Sequence, residues 1–317
     1  MPTSPLAPGS VSLRVYPLDL PPDEVVREIQ AEGRLAEEAG FDGCMTSEHH
    51  GGFPNYLPNP LLAANWLLEA TERMWAAPCP VVLALRPVSQ VVEDIAWTYH
   101  RFPGRVAIGV CAGALPVDFE MAGVPFEEMF PRYRAALGEL VAALGGKAEG
   151  PIAADPAVAA LSGGEIPVAA AVQAVKTAER AARLGAAVLY DSLQTIERTR
   201  EISDAYAAAG GTSTRILIRR VWVGPPPVAN MEAQMDRFRG ITSASTQQHW
   251  GAGDDLIAGD DGGEVAERIH DSMVRSGADA VNLRVFLAGL SAAQVRDQIE
   301  RHRAETLPRL RSLLAAR

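Results

Sequence analysis

Ala39-Gly40-Phe41-Asp42-Gly43-Cys44-Met45-Thr46-Ser47-Glu48-His49-His50 reads as the end of one element, the whole of a second, and a cluster of ionisable groups. The amphipathic stretch Asp23–Ala39 stops at a glycine, the residue that best accepts the left-handed turn closing a helix. The chain then enters the apolar run Gly43–Ser47 and emerges on Glu48-His49-His50. The same junction recurs at Leu184-Gly185-Ala186 and at Ser276-Gly277-Ala278-Asp279. Helices that return through glycine into short, almost continuous apolar runs are the pattern of a parallel sheet buried on both faces.

Working outward, the apolar runs are Val11–Tyr16, Gly43–Ser47, Val81–Leu85, Val106–Cys111, Val168–Val172, Ala187–Tyr190, Ile216–Val223 and Ala280–Phe286. Helix-like stretches alternate with them: Asp23–Ala39, Pro60–Glu72, Gln90–Arg101, Phe126–Leu144, Lys176–Leu184, Thr195–Ala209, Glu264–Ser276 and Ala292–Leu314. Ser291 is expected to cap the last of these. Eight strand–helix units are the number that closes a barrel. The fold expected is α/β, a single (β/α)8 TIM barrel forming one domain over residues 1–317. Two segments break the alternation. Gly145–Gly164, rich in Ala, Gly and Pro, reads as a loop insertion before strand five. Ile241–Gly263, with Gln247-Gln248-His249-Trp250-Gly251-Ala252-Gly253 inside it, reads as a lid-like segment after strand seven.

Composition narrows the function. Apolar residues make up 48% and charged residues 21%, the balance of a soluble globular protein. A formal charge of −10 argues against a nucleic-acid partner, which needs a concentrated basic face. No run of about 18 apolar residues occurs, so no membrane partner is expected. Met1–Ser10 has neither the charged start nor the apolar centre of a signal peptide. The three cysteines, Cys44, Cys79 and Cys111, show no C-x-x-C spacing. A cytoplasmic protein without disulfides or zinc is expected.

In such barrels the working groups stand at the C-terminal ends of the strands. That rule nominates Ser47–His50, Cys79–Pro87, Cys111–Gly113, Val172–Thr177, Asp191, Arg219–Trp222 and Arg284–Phe286. Glu48-His49-His50 is the densest polar cluster. As a metal pair it is poorly built, because neighbours in an extended chain point to opposite faces and no H-E-x-x-H spacing is present. A structural histidine, a solvated loop and an acid–base group titrating near neutrality remain open. Gln173-Ala174-Val175-Lys176-Thr177 opens a helix whose unpaired N–H groups, hydroxyl and lysine suit a phosphate dianion.

Phe41-Asp42-Gly43, Ser47-Glu48-His49-His50 and Pro58-Asn59-Pro60 resemble the opening of the bacterial luciferase-like flavin-dependent monooxygenases. The likeness continues through Val81-Val82-Leu83, Val92-Glu93-Asp94, Pro103–Val110, Asp118-Phe119-Glu120, Gly123-Val124-Pro125, Ile166-Pro167-Val168, Ala178–Gly185, Gly277-Ala278-Asp279, Asn282-Leu283-Arg284 and Leu307-Pro308. The resemblance implies a barrel that takes reduced FMN from a partner flavin reductase and uses dioxygen to oxygenate a small apolar organic substrate. His49 then falls on the catalytic imidazole. Cys111 falls on a cysteine beside the flavin ring, where it is read as a lining residue and not a nucleophile. Cys79 and Pro80 fall on a bulge that backs the ring; proline inside a strand signals a bulge, and the Cys79–Pro80 bond is open to cis or trans. Gln173, Ala174, Lys176 and Thr177 fall on the phosphate site.

The match departs from bacterial luciferase where Gln173 and Ala174 replace an acidic residue and a serine, and where Ala112 replaces an arginine. Arg132 and Arg134 are the candidates for the missing charge. A thinned phosphate site fits weak flavin retention and a borrowed cofactor. The resemblance further implies a homodimer through the helices after strands two and three, with Trp66, Trp97 and Tyr99 as candidate anchors. Two alternatives remain: a deazaflavin-dependent dehydrogenase or reductase on the same fold, and a flavin-binding protein without turnover.

Overall fold

The computed structural model describes residues 3–164, 166–241, 247–248, 250 and 256–316. Helix α1 (Pro22–Ala39) ends at Gly40, whose φ of 91° lies in the left-handed region, and the Phe41 amide turns back onto the Ala36 carbonyl at 3.0 Å. Two residues later β2 (Gly43–Thr46) begins, so the junction read from the sequence is built as expected.

The other strands are β1 (Val11–Arg14), β3 (Trp75–Pro78), β4 (Val81–Val82), β5 (Ile108–Cys111), β6 (Val168–Val172), β7 (Ala187–Tyr190), β8 (Arg215–Val223), β9 (Leu256–Gly259) and β10 (Ala280–Arg284). Every pairing is parallel, in the order β3-β2-β1-β10-β8-β7-β6-β5-β4, with β9 alongside β8. The two ends of that order are halves of one interrupted strand. Ala76 in β3 also bridges to Val106, just ahead of β5, so the sheet comes round on itself as a (β/α)8 barrel.

The helices are α2 (Pro60–Ala70), α3 (Val88–Arg101), α4 (Pro116–Ala122), α5 (Met129–Leu144), α6 (Pro156–Ala159), α7 (Val175–Leu184), α8 (Ile196–Ala208), α9 (Val228–Ile241), α10 (Gly262–Ser276), α11 (Ala292–Arg301) and α12 (Leu307–Ala315). Among the described residues no helix is long and apolar enough to cross a membrane. Ser291 caps α11 in a reciprocal capping box with Gln294.

Three expectations need correction. The third strand is not Val81–Leu85: it starts at Trp75, is interrupted at the cis Cys79–Pro80 bond, resumes for two residues, and passes into a 3-10 turn at Leu83–Leu85. Proline has no N–H for the ladder, so the strand cannot run through unbroken. The last helix is not continuous either. A π turn, His302–Thr306, separates α11 from α12, because Pro308 cannot donate back along the helix. Finally, part of the expected lid is sheet: Leu256–Gly259 pairs with Arg220–Val223. The remainder, 242–246, 249 and 251–255, lies outside the described residues.

Alternate strand residues fill the barrel with a small apolar cluster that includes Met45, Trp75, Ala107, Ala169, Ile216 and Ala280. A larger cluster packs the outer sheet face against the helices. Continuing the inward alternation towards the strand C-termini puts Arg14, Ser47, Cys111, Arg220, Asn282 and Arg284 above the inner cluster. The mouth is therefore polar and rich in arginine, over an apolar floor.

Candidate active site

The loop leaving β2 is organised by two buried carboxylates. Asp118, in the first turn of α4, accepts from His49 Nδ1 and from the His50 amide, both at 2.9 Å. Burial pushes the Asp118 carboxyl up, but the hydrogen bonds from His49 and His50 outweigh it and hold the group below its ordinary value. Glu48 accepts from His50 Nε2 at 2.8 Å and from the Val82 amide at 2.7 Å, and pairs with Arg86. Glu48 and His50 thus stitch the loop to strand three. His49 is freed from that duty and packs against two aromatic side chains, 4.7 Å from Phe53 and 4.6 Å from Tyr56 between centroids. Because Asp118 is ionised, the hydrogen on Nδ1 points at it, leaving Nε2 to accept a proton.

Strand three carries the bulge. Arg14 Nη1 donates to the Cys79 carbonyl at 2.8 Å and to Ser47 Oγ at 2.5 Å, while Nε donates to Asn282 Oδ1 at 2.7 Å. One guanidinium thereby ties the Cys79–Pro80 bond to the start of the histidine loop. The Cys79 side chain is fully buried in the inner cluster. A Cβ on Gly109 would stand 2.0 Å from its sulfur, so only glycine fits opposite. Burial pushes the Cys79 thiol up to about 11, which leaves it protonated and inert near neutrality. Cys111 is partly exposed at the end of β5, and burial followed by the nearby Glu48 charge pushes its thiol up to about 12. Neither cysteine has the chemistry of a nucleophile.

Across the mouth, α7 begins after Gln173-Ala174 with no side chain capping its first amides. Gln173, Ala174 and Lys176 are exposed and Thr177 is partly so. Gln173 Nε2 donates to Asp191 Oδ2 at 2.8 Å. Arg198, in the first turn of α8, pairs through Nη1 with Glu201 at 2.5 Å and reaches the Gln173 carbonyl with Nη2 at 3.5 Å, while its buried Nε has no hydrogen-bond partner. An uncapped helix start, a lysine and an orphaned guanidinium nitrogen fit a phosphate, with the Asp191 carboxylate opposing it nearby. Arg132 is committed elsewhere, donating from Nε to the Ala84 carbonyl at 2.8 Å. Arg198 is the guanidinium beside this helix. It was missed because it belongs to the next strand–helix unit; its signal is an arginine in the first turn of the helix after strand six.

Two more groups escaped the sequence. Asp118 stood there only as part of a family tag, and its partner lies 69 residues away. Arg14 was counted among apolar residues of the first run, although a charge at an inward position of a buried strand is itself a signal. Among the described residues no group of three or more His, Cys, Asp or Glu side chains could hold a metal ion.

These features define an α/β-barrel enzyme with its reactive groups at the C-terminal mouth. The family model described as luciferase-like monooxygenase matches residues 9–309. The protein belongs to that family. It is 34% identical over 116 residues to the alkanal monooxygenase alpha chain of Photorhabdus laumondii, a match covering 36% of this chain and 32% of that one. The chain thus spans about a third of the length of those curated relatives.

Among solved structures, the monooxygenase RslO1 from Streptomyces bottropensis superposes with a TM-score of 0.76 at 16% identity, over 94% of this chain and 99% of that one. The oxygenating constituent of a Pseudomonas putida 3,6-diketocamphane monooxygenase, in complex with FMN, gives 0.70 at 15%, over 95% and 98%. An F420-dependent secondary alcohol dehydrogenase gives 0.70 at 14%, also over 95% and 98%. At these identities the likeness shows the shared fold.

Proposed function

We propose that this protein is a two-component monooxygenase in which reduced FMN, delivered by a separate reductase, and dioxygen oxygenate a small, mainly apolar organic substrate. The observation that carries the reading is the His49–Asp118 pair, set at the barrel mouth next to the bulge that Arg14 secures. When bound, reduced FMN supplies the electrons that activate dioxygen. The chain's part is to bind, orient and shield. The α7 start with Lys176, Thr177 and Arg198 holds the phosphate; Pro80 and Cys111 line the ring, and the fully buried Cys79 supports the bulge from beneath. His49 Nε2 takes up or returns a proton, with Asp118 fixing its orientation and balancing the imidazolium. Phe53 and Tyr56 give the imidazole an apolar wall on the side of the reacting atoms.

The same barrel also serves F420-dependent proteins, so a deazaflavin is the second reading for the cofactor. We read the chain as one barrel domain, located in the cytoplasm and dimeric through α2 and α3. Leu62 and Trp97 stand 51% and 55% exposed on those two helices.

Rapid mixing of the protein and photoreduced FMN with air tests the function. The expected result is flavin reoxidation slower than that of free FMN, by way of a transient absorbing species. Reoxidation at the free rate, with no transient, would overturn the reading; tight binding of a reduced deazaflavin that air leaves unoxidised would favour the second.

A further inference from the structure

We propose that the substrate of this site is an organic acid, its carboxylate received by Arg284 and its apolar body laid along the aromatic side chains between Arg284 and His49. The inference rests on the reading above for which part of the mouth the cofactor takes.

Arg284 is 4% exposed, at the end of β10. Among the described residues it makes one long hydrogen bond, from Nε to the Phe286 carbonyl at 3.4 Å, and its Nη2 is buried with no partner. The guanidinium lies over the Tyr16 ring at 4.4 Å and near Phe238 of α9 at 5.8 Å, so among the described residues aromatic faces and no carboxylate meet its charge. Arg14, the next cation in the mouth, is likewise bonded only to neutral groups: Asn282, Ser47, the Cys79 carbonyl and the Met45 sulfur. Burying a cation without an anion is costly, and ring contacts offset a small part of that cost. A ligand carboxylate supplies both the missing charge and an acceptor for Nη2.

The sheet order assigns the sides. Cys111 and Gln173–Thr177 follow β5 and β6, which continue the sheet from β4, while the Cys79–Pro80 bulge between β3 and β4 adjoins β2 and so joins the cofactor side to the histidine loop. His49, Tyr16 and Arg284 belong to β2, β1 and β10, which are contiguous in the other direction. On that side the rings form a series. Phe286 stacks on Tyr16 at 5.1 Å, Tyr16 meets Tyr56 edge-on at 5.3 Å, and Tyr56 meets His49 at 4.6 Å. A molecule lying along this series has a cation at one end and a proton-transfer group at the other. The carboxylate therefore fixes direction and presents the far end of the substrate to His49.

The test compares binding of phenylacetate and of its neutral amide, phenylacetamide, by calorimetry, to the protein with and without FMN. The parent is expected to bind the acid at least about ten-fold more tightly than the amide, as a hydrogen bond to a charged group allows. Arg284→Met should abolish that preference and Arg284→Lys should keep part of it, with amide binding little changed. Equal binding of acid and amide by the parent overturns the proposal, and that comparison needs no variant to fold. A preference that survives Arg284→Met also overturns it. So does a parent with no preference whose Arg284→Met variant loses reduced-FMN affinity, since Arg284 would then serve the cofactor. An acid preference that depends on Arg284, in a protein that does not slow the reoxidation of reduced FMN, sinks the monooxygenase reading and leaves this subsite standing.

Discussion

Replacing Asp118 with Asn preserves the shape of the side chain and inverts half of its hydrogen bonding. The His50 amide can only donate, so the new carbonyl oxygen must stay with it, at the present 2.9 Å. The amide NH2 is then turned towards His49 Nδ1, where an acceptor stood. His49 answers by carrying its hydrogen on Nε2, the nitrogen that is bare in the parent. A second proton would place two donors face to face. The interaction lost is a hydrogen bond between charged partners, worth about 1.5–3 kcal/mol, which corresponds to roughly ten- to 150-fold in any step that needs the imidazolium. The assay is rapid mixing with photoreduced FMN and air from about pH 5 to about 8, the range in which histidine titrates. The rate of flavin reoxidation near neutral pH should fall by that factor. A profile superimposable on the parent's, accompanied only by a lower melting temperature, would show that Asp118 merely brackets the loop.

Lys176→Glu should weaken reduced FMN binding by roughly ten-fold or more through repulsion of the phosphate, and Arg198→Gln should weaken it too; unchanged titration curves would remove α7 as the anchor. Buried Glu32 tests linkage in the fold: burial, then the Glu28 charge, raises its carboxyl from 4.5 to about 8. The native state therefore keeps a proton that the unfolded chain has released, and stability falls by about 1.4 kcal/mol per pH unit between those two values. Glu32→Gln should raise the melting temperature at pH 8 and leave it unchanged near pH 4; equal shifts at both would contradict the assignment. Sedimentation at micromolar concentration should give twice the 33.8 kDa chain mass, and a monomer would dismiss the α2–α3 interface.

The barrel was legible wherever strands were bounded by glycine or proline. Val168–Val172 and Ala187–Tyr190 have the boundaries read from the sequence, because Pro167 and Gly185-Ala186 end what precedes them. The third strand was misplaced because Trp75-Ala76-Ala77-Pro78 is short, alanine-rich and closed by proline, while the apolar continuation Leu83–Leu85 curls into a turn. At the site, the resemblance pointed to the histidine loop and to the start of α7 as the proposed phosphate anchor. It could not supply Asp118, Arg14 or Arg198, whose roles rest on approaches between distant parts of the chain. Arg14 bonds residues 65 and 268 positions away. Such pairings follow from barrel closure, and no local pattern carries them.

The measurement that bears most directly on the account compares the parent with His49→Ala in the rapid-mixing experiment, alongside anaerobic titration with reduced FMN. The proton-transfer step should slow by about two to four powers of ten in His49→Ala, the reach of a lost acid–base group. Affinity for reduced FMN should stay within a few-fold, since the proposed phosphate contacts at the start of α7 lie across the mouth from His49. Identical pH dependence and rates in the two proteins would contradict the account, and would move the proton chemistry away from His49.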